Sequence, residues 1–359
     1  MTRSTPPRSF VYLGWQGYGN FGDDLLHETW RAALRHPLDV EAPLTRRDYA
    51  RRSPRFVRDR ARLVGRERLV LLGGGTTVGF ASWAGHVDRA TRYFGATGTI
   101  GLGLGAAAAD DSYSLGTQPQ QWDAWRSLDR FALHGVRGPL TEHEVTTNLC
   151  PVDVVGDPAL LYPELVHVQR TVRPDGRIGV SIGSDPTTRF DVDTIAEAVD
   201  RHAAATGTTE VVAFALSGAD RMAAHGLAAR LRTPAVVHEY VDVPTTMAAI
   251  AGCDLVVSER LHGAIAAVSL DVPTVPLSYA SKCDDFWRSV TDGPAPLTVG
   301  HDVDELVHEM QIATRHRDGI RARTAELRER LGSVQQRLLD WQTAGSPTAE
   351  LFARTKAHA

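Results

Sequence analysis

Short apolar runs alternate along this chain with segments of helical periodicity, and many of the runs end in a glycine-rich or charged turn. That rhythm marks parallel α/β units, in which strands are covered on both faces and helices make the crossovers. In the first part of the chain the runs fall at 9–14, 68–72, 98–104, 130–133 and 152–155, with helical patterns at 123–127 and 139–145. A break in composition follows at 166–177, gathering Arg170, Arg173, Pro174, Asp175 and Gly176. The rhythm then restarts, with runs at 178–182, 210–216, 235–237, 254–258 and 274–276 and helical stretches at 192–206, 219–231 and 245–251. In the last segment Ile320, Leu327, Leu331, Val334 and Leu338 recur near helical spacing. At that length a packed terminal helix is favoured over a coiled coil. The expectation is an α/β protein of two Rossmann-like domains facing a cleft. They span 8–165 and 166–305, and a helical segment, 306–359, packs back on the first.

Charge narrows the function. The formal net charge is −4, which argues against a nucleic-acid binder that works by bulk charge, so any anion site is local. Only Lys282 and Lys356 among the 39 basic residues are lysine. A single arginine therefore carries little weight as a clue, and Lys282 carries more. Cys150, Cys253 and Cys283 share no metal-ligand spacing and make no even framework, so they read as reduced thiols of a cytoplasmic protein. Residues 1–9 are polar and hold two prolines, unlike a signal peptide. The nearest approach to a membrane span, 100–109, is far too short, and no span is expected.

Ligands of parallel sheets sit beyond the carboxyl ends of strands, so the turns there are the places to search. Gly17-Tyr18-Gly19-Asn20-Phe21-Gly22-Asp23-Asp24 follows the first run. Its glycines let the backbone approach a ligand, and Asn20 or Asp23 can cap the next helix. A plain capped β–α turn explains it equally well, and the match to a dinucleotide glycine spacing is weak. Gly73-Gly74-Gly75-Thr76-Thr77 offers a nest of backbone N–H groups, which favours a ligand-facing loop over a packed turn.

Ser258-Glu259-Arg260-Leu261-His262-Gly263 is the most informative turn. It joins the apolar run Leu255-Val256-Val257 to a helical run opening at Ala264. A helix amino end there attracts an anion, Arg260 adds a bidentate fork, and His262 titrates near neutrality. Arg137 in His134-Gly135-Val136-Arg137-Gly138 and Asp157 in Asp157-Pro158-Ala159 also follow apolar runs. Each is a ligand contact or an ordinary turn residue. Tyr279 and Lys282 follow the run at 274–276.

Taken in order, these segments resemble the polysaccharide pyruvyl transferase family over about residues 10–285. The match runs through the Gly17–Asp24 element, Gly73-Gly74-Gly75, Val136-Arg137 with Thr141, Asp157-Pro158-Ala159, Arg260-Leu261-His262-Gly263 and Tyr279 with Lys282. Asp24 stands where the family often has Glu, and Thr141 where it often has Ser. Residues 39–66 match nothing in the pattern, and acceptor recognition there stays open.

The resemblance implies a GT-B-like architecture and a bacterial transferase of cell-wall or exopolysaccharide biosynthesis. Such an enzyme moves the pyruvyl group of phosphoenolpyruvate onto two hydroxyls of one sugar as a cyclic ketal. It implies a donor site of Arg137, Arg260, Leu261, His262, Gly263, Lys282, Gly74 and Gly75. It leaves Asn20, Asp23, Thr76, Asp157 and Tyr279 for the acceptor. Two arginines from opposite domains would grip the donor's phosphate and carboxylate. His262 is the candidate acid for the donor's methylene carbon, and Glu259, Asp23 and Asp24 are candidate bases for the sugar hydroxyls. No cofactor or metal is expected. Phosphoenolpyruvate and a sugar acceptor, lipid-linked or free, are the expected partners. A lipid-linked acceptor would bring the enzyme into peripheral contact with the inner face of the membrane. Two other readings stand beside this one: a nucleotide-sugar glycosyltransferase of GT-B type, and a non-catalytic sugar-phosphate binding protein.

Overall fold

The computed structural model describes residues 7–34, 40–51, 53–170, 176–183 and 190–353. Residues 1–6, Asp39, residues 171–175 of the compositional break, Lys356 and the tail 354–359 lie outside the described residues. The described chain divides into two compact units. One holds residues 7–15, 26–158 and 327–353, and the other holds 16–25 and 159–326.

In the first unit the strands are β1 (Arg8–Leu13), β2 (Val40–Glu41), β3 (Glu67–Leu72), β4 (Thr76–Val78), β5 (Gly98–Gly101), β6 (Gly105–Ala106) and β7 (Phe131–Leu133). Five of them form one parallel sheet in the order β2-β1-β3-β5-β7. The chain order of its strands reverses between β1 and β3. β1 is buried from Ser9 onward and β3 from Leu69 onward, as a sheet covered on both faces requires. Val11, Leu72, Val87, Phe94, Trp125 and Val136 pack in its core.

Two expected runs turn out differently. The run 98–104 is cut short: β5 stops at Gly101, and β6, just past the run, pairs with β4 in a separate two-stranded ribbon. The chain turns between them at Gly103, at φ 62, where a Cβ would meet Pro158 at 2.5 Å. The run 152–155 is not a strand. Only Val154 bridges Val136, because Pro151 brings no N–H and Gly156 turns the chain at φ 94.

The second unit carries β8 (Arg177–Ser181), β9 (Glu210–Ala215), β10 (Ala235–Glu239), β11 (Leu255–Ser258), β12 (Thr274–Ser278) and β13 (Leu297–Thr298). They form one sheet in the order β10-β9-β8-β11-β12-β13, and every pair is parallel. This is the strand order of a Rossmann sheet, with its topological switch point between β8 and β11. The crossover helices begin where the sequence supplies caps. Asp191 accepts from the N–H groups of Asp193 and Thr194 to start Val192–Thr206, and Asp242 accepts from Thr245 to start Val243–Ala251. Gly207 ends the first of these in the left-handed conformation that favours glycine.

The terminal segment is one 41-residue helix, Val303–Thr343. It is packed rather than coiled with a partner. Leu306 and Met310 join the core of the second unit, and Trp341 sits 4.8 Å from the ring of Phe10 in the first. Cys150, Cys253 and Cys283 take part in no disulfide among the described residues.

Candidate functional site

The switch point of the second unit is closed by the turn singled out from sequence. Glu259 follows β11. Its N–H donates to Ser181 O at 2.8 Å, and its buried carboxylate accepts from Gly183 N–H at 2.8 Å. Glu259 thus ties the ends of β8 and β11 together. Arg260 is the cap residue of helix Leu261–Ser269, in extended conformation, and Ser258 Oγ donates to its carbonyl at 2.8 Å. The Arg260 side chain turns to Asp220, beyond the end of β9. Its Nε donates to Asp220 Oδ2 at 3.0 Å, and its Nη2 donates to Oδ1. Burial works against the guanidinium charge, but the hydrogen bonds and charge of fully buried Asp220 prevail and raise its pKa further. The fork that the sequence offers to a ligand is therefore engaged by Asp220. Nη1 makes no hydrogen bond among the described residues.

Residues 16–25 complete this end of the second unit. Asn20 forms a bridge to Ser217, and Phe21 N–H donates to Leu216 O at 2.9 Å, so the segment is fastened just beyond β9. Asn20 Oδ1 accepts from Gly22 N–H at 3.0 Å and caps the helix that starts at Phe21. Gly22 lies against His262. A Cβ on Gly22 would fall 2.3 Å from His262 Nδ1, so only glycine admits the imidazole there.

Two carboxylates follow. Asp24 accepts from Gly17 N–H at 2.6 Å and from Tyr240 Oη at 2.7 Å. Asp23 is pushed up to about 7, by burial first and by the Asp24 charge second, with Lys282 pulling the other way. Lys282 stands 4.8 Å over the ring of Tyr279, a cation–π contact. A carboxyl that exchanges a proton near neutrality, an imidazole, an ammonium and a helix amino end are thus gathered in one unit. Such a set can hold an anion and move a proton.

In the first unit, Gly73-Gly74-Gly75 lies at the reversal between β1 and β3. Gly73 N–H donates to Leu13 O at 3.0 Å, and a Cβ there would strike the Tyr12 ring at 2.2 Å. Gly74 and Gly75 sit at φ 135 and 80, where a side chain is strained. Arg137 is fully buried. Its Nη1 donates to Thr76 Oγ1 at 3.3 Å, and its guanidinium lies so close to Gly105 that a Cβ would fall 2.5 Å from Nη2. Thr141 Oγ1 accepts from Ala106 N–H at 3.1 Å, which holds β6 beside this group. Asp157 is fully buried in the same unit.

A model of one family, polysaccharide pyruvyl transferase, matches residues 20–281, more than half of the chain. The chain belongs to the polysaccharide pyruvyl transferase family. No curated protein matches it in sequence. Similar solved structures share its fold across nearly the whole length. A Listeria monocytogenes protein described as a candidate UDP-N-acetylglucosamine 2-epimerase aligns at TM-score 0.63 and 13% identity, covering 99% of this chain and 100% of that one. S. aureus MnaA, solved with UDP, aligns at 0.61 and 11%, covering 93% and 95%. The Neisseria meningitidis UDP-GlcNAc 2-epimerase, bound to UDP-GlcNAc, aligns at 0.56 and 10%, covering 93% and 99%. The fold of this pyruvyl transferase family member is GT-B-like.

Within the second unit the structure brings together Asn20, Asp23, Asp24, Glu259, Arg260, Leu261, His262, Gly263, Tyr279 and Lys282 of the expected residues. Gly74, Gly75, Thr76, Arg137 and Asp157 belong to the first. Leu261 and Gly263 are buried; a Cβ on Gly263 would fall 2.4 Å from Ser258 Oγ, so this glycine serves close packing. Sequence reading missed Asp220 and Tyr240. Asp220 carried a weak signal, as an acid shortly after an apolar run, and Tyr240 carried none. Among the described residues, no group of three or more His, Cys, Asp or Glu side chains is placed to hold a metal ion, and no helix is long and apolar enough to cross a membrane.

Proposed function

We propose that this family member transfers the pyruvyl group of phosphoenolpyruvate to two hydroxyls of a sugar in a cell-surface glycan or its precursor. The product is a cyclic ketal, and phosphate is released. The observation that carries the reading is Asp23. It exchanges a proton near pH 7 in the unit that also holds His262, Lys282 and the amino end of helix Leu261–Ser269. Ketal formation needs such groups. One acid delivers a proton to the donor's methylene carbon, which becomes the methyl. The central carbon gains cationic character and accepts one sugar oxygen, the phosphate leaves, and the second oxygen closes the ring. Of the two hydroxyl protons lost, one balances the new methyl hydrogen and the other departs with phosphate.

In this scheme His262 is the acid and Asp23 takes a hydroxyl proton. Lys282 and Arg260 Nη1 meet the donor's charge, aided by the helix amino end. Glu259 is buried on Gly183 N–H, which favours a bracing role over that of a base. The test is mass spectrometry of candidate acceptors after incubation with phosphoenolpyruvate, with phosphate release followed in parallel. A gain of one pyruvyl ketal per acceptor is expected.

A nucleotide-sugar transferase is the second reading, favoured by one observation: S. aureus MnaA, with the same fold, was solved with UDP. Thermal stabilisation by UDP-sugars and not by phosphoenolpyruvate would select it. Binding of either with no turnover would leave a sugar-phosphate binding protein.

A further inference from the structure

The first unit carries a second concentration of charge. Residues 46–68 hold ten arginines and three acidic residues, a local excess of +7 in a chain of net charge −4. The described residues among them fold as helices Arg46–Arg51 and Ser53–Arg62, the turn that follows and the first two residues of β3. Phe56 and Asp59, with Leu63 just past the helix end, anchor one face of the second helix. Phe56 packs against Tyr49, Leu63 enters the core of the unit, and Arg60 lies 5.5 Å over the ring of Tyr93. The acids are turned away from solvent or engaged. Asp59 is buried between Arg55 and Arg62, and Asp48 accepts from Thr45. Arg46, Arg47, Arg51 and Arg58 are exposed and make no ion pair among the described residues.

The opposite face of the same helix is apolar and open. Pro54, Val57, Ala61 and Val64 follow one another at spacings of four and three, which places them on one stripe. Val64 N–H bonds to Ala61 O at 3.1 Å and so stays on the helical path. All four are exposed, Val57 at 61% and Val64 at 75%. A helix that buries one face and presents an apolar stripe on the other, flanked by exposed arginines, is built for a medium that is apolar inside and anionic at its surface.

We infer that this face is a docking surface for an anionic phospholipid bilayer. The valines enter the acyl boundary, and the arginines take lipid phosphates, for which their forked donors are suited. Nucleic acid would engage the arginines but has no use for the valine stripe. A second copy of this face would set like charges against each other. The inference stands on the first unit alone and does not depend on the donor proposed above.

The test uses the full chain with vesicles of phosphatidylcholine alone and of phosphatidylcholine with phosphatidylglycerol, read by co-sedimentation. Binding only to the anionic vesicles is expected, weakening as salt rises. Val57→Asp with Val64→Asp should abolish it. Arg47→Gln with Arg51→Gln and Arg58→Gln should lower partitioning on the order of a hundredfold, about fivefold for each arginine. These positions are exposed, and circular dichroism checks that the variants fold. Equal binding to both vesicles, no binding, or binding indifferent to the valine changes overturns the inference. Capture by an RNA or DNA oligonucleotide, or self-association, without vesicle binding overturns it as well.

Discussion

Tyr240 Oη donates a 2.7 Å hydrogen bond to Asp24 Oδ2, across 216 residues of chain. Gly17 N–H donates to the other oxygen, so both Asp24 oxygens are tied down. The Asp24 charge, held there, is the second cause after burial that pushes Asp23 up to about 7. Tyr240→Phe frees one Asp24 oxygen to turn toward water, which weakens that repulsion and lowers the pKa of Asp23. The acidic limb of the kcat/KM profile for pyruvyl transfer should move downward. A loss of about 1.5 kcal/mol in stability with an unmoved profile would make Tyr240 a brace only.

Asp23→Asn separates stability from activity. The folded-state pKa of Asp23 is raised to about 7, by burial first, so the fold prefers the protonated carboxyl. That preference costs nothing below the unfolded value, where both states are protonated. The cost grows as pH rises and is complete above about 7. Asparagine mimics the protonated form at every pH. The variant should resist urea better than wild type at pH 8, show no difference near pH 4, and lose transfer activity. Equal urea midpoints at pH 8 would mean that Asp23 is not held protonated in the fold.

Gly22→Ala sends a methyl group into the space of His262. Alanine suits the helix itself better than glycine does, so secondary structure should survive. Displacement of the imidazole should lower transfer on the order of a hundredfold. Adding the change to a His262→Ala background should cost little more, because the clashing group is gone. Additive losses would show that Gly22 acts by some route other than His262.

Arg260→Ala leaves Asp220 buried without its counter-charge. Breaking such a pair costs about 3–5 kcal/mol, measured by denaturant unfolding. Asp220→Ala in the same chain should recover part of the loss. A residue that serves only a ligand would leave stability unchanged, so wild-type stability in Arg260→Ala would return the guanidinium to a purely ligand-binding role.

Much of the site was legible because its signals are local. Glycines at positive φ, caps and a charged turn after an apolar run each follow from a few neighbouring residues, as Gly75, Asn20 and Ser258–Gly263 show. The commitment of Arg260 was not legible, because its partner lies 40 residues upstream and meets it only because β9 and β11 end on either side of β8 in the second sheet. The failed strand at 152–155 has a like cause. Its apolar pattern suits a strand, but Pro151 and Gly156 leave room for a single bridge.

By itself, the sequence determined the order of strands and helices, the turns that carry polar groups and the family pattern, since these depend on periodicity and short spacing. Only the tertiary structure decided that residues 16–25 pack with the second unit, that Gly22 makes room for His262, that Tyr240 and Gly17 tie down Asp24, and that burial pushes Asp23 up to about 7. The physical reason is that burial and pairing at a distance set proton affinity, and neither is written in any short stretch of chain.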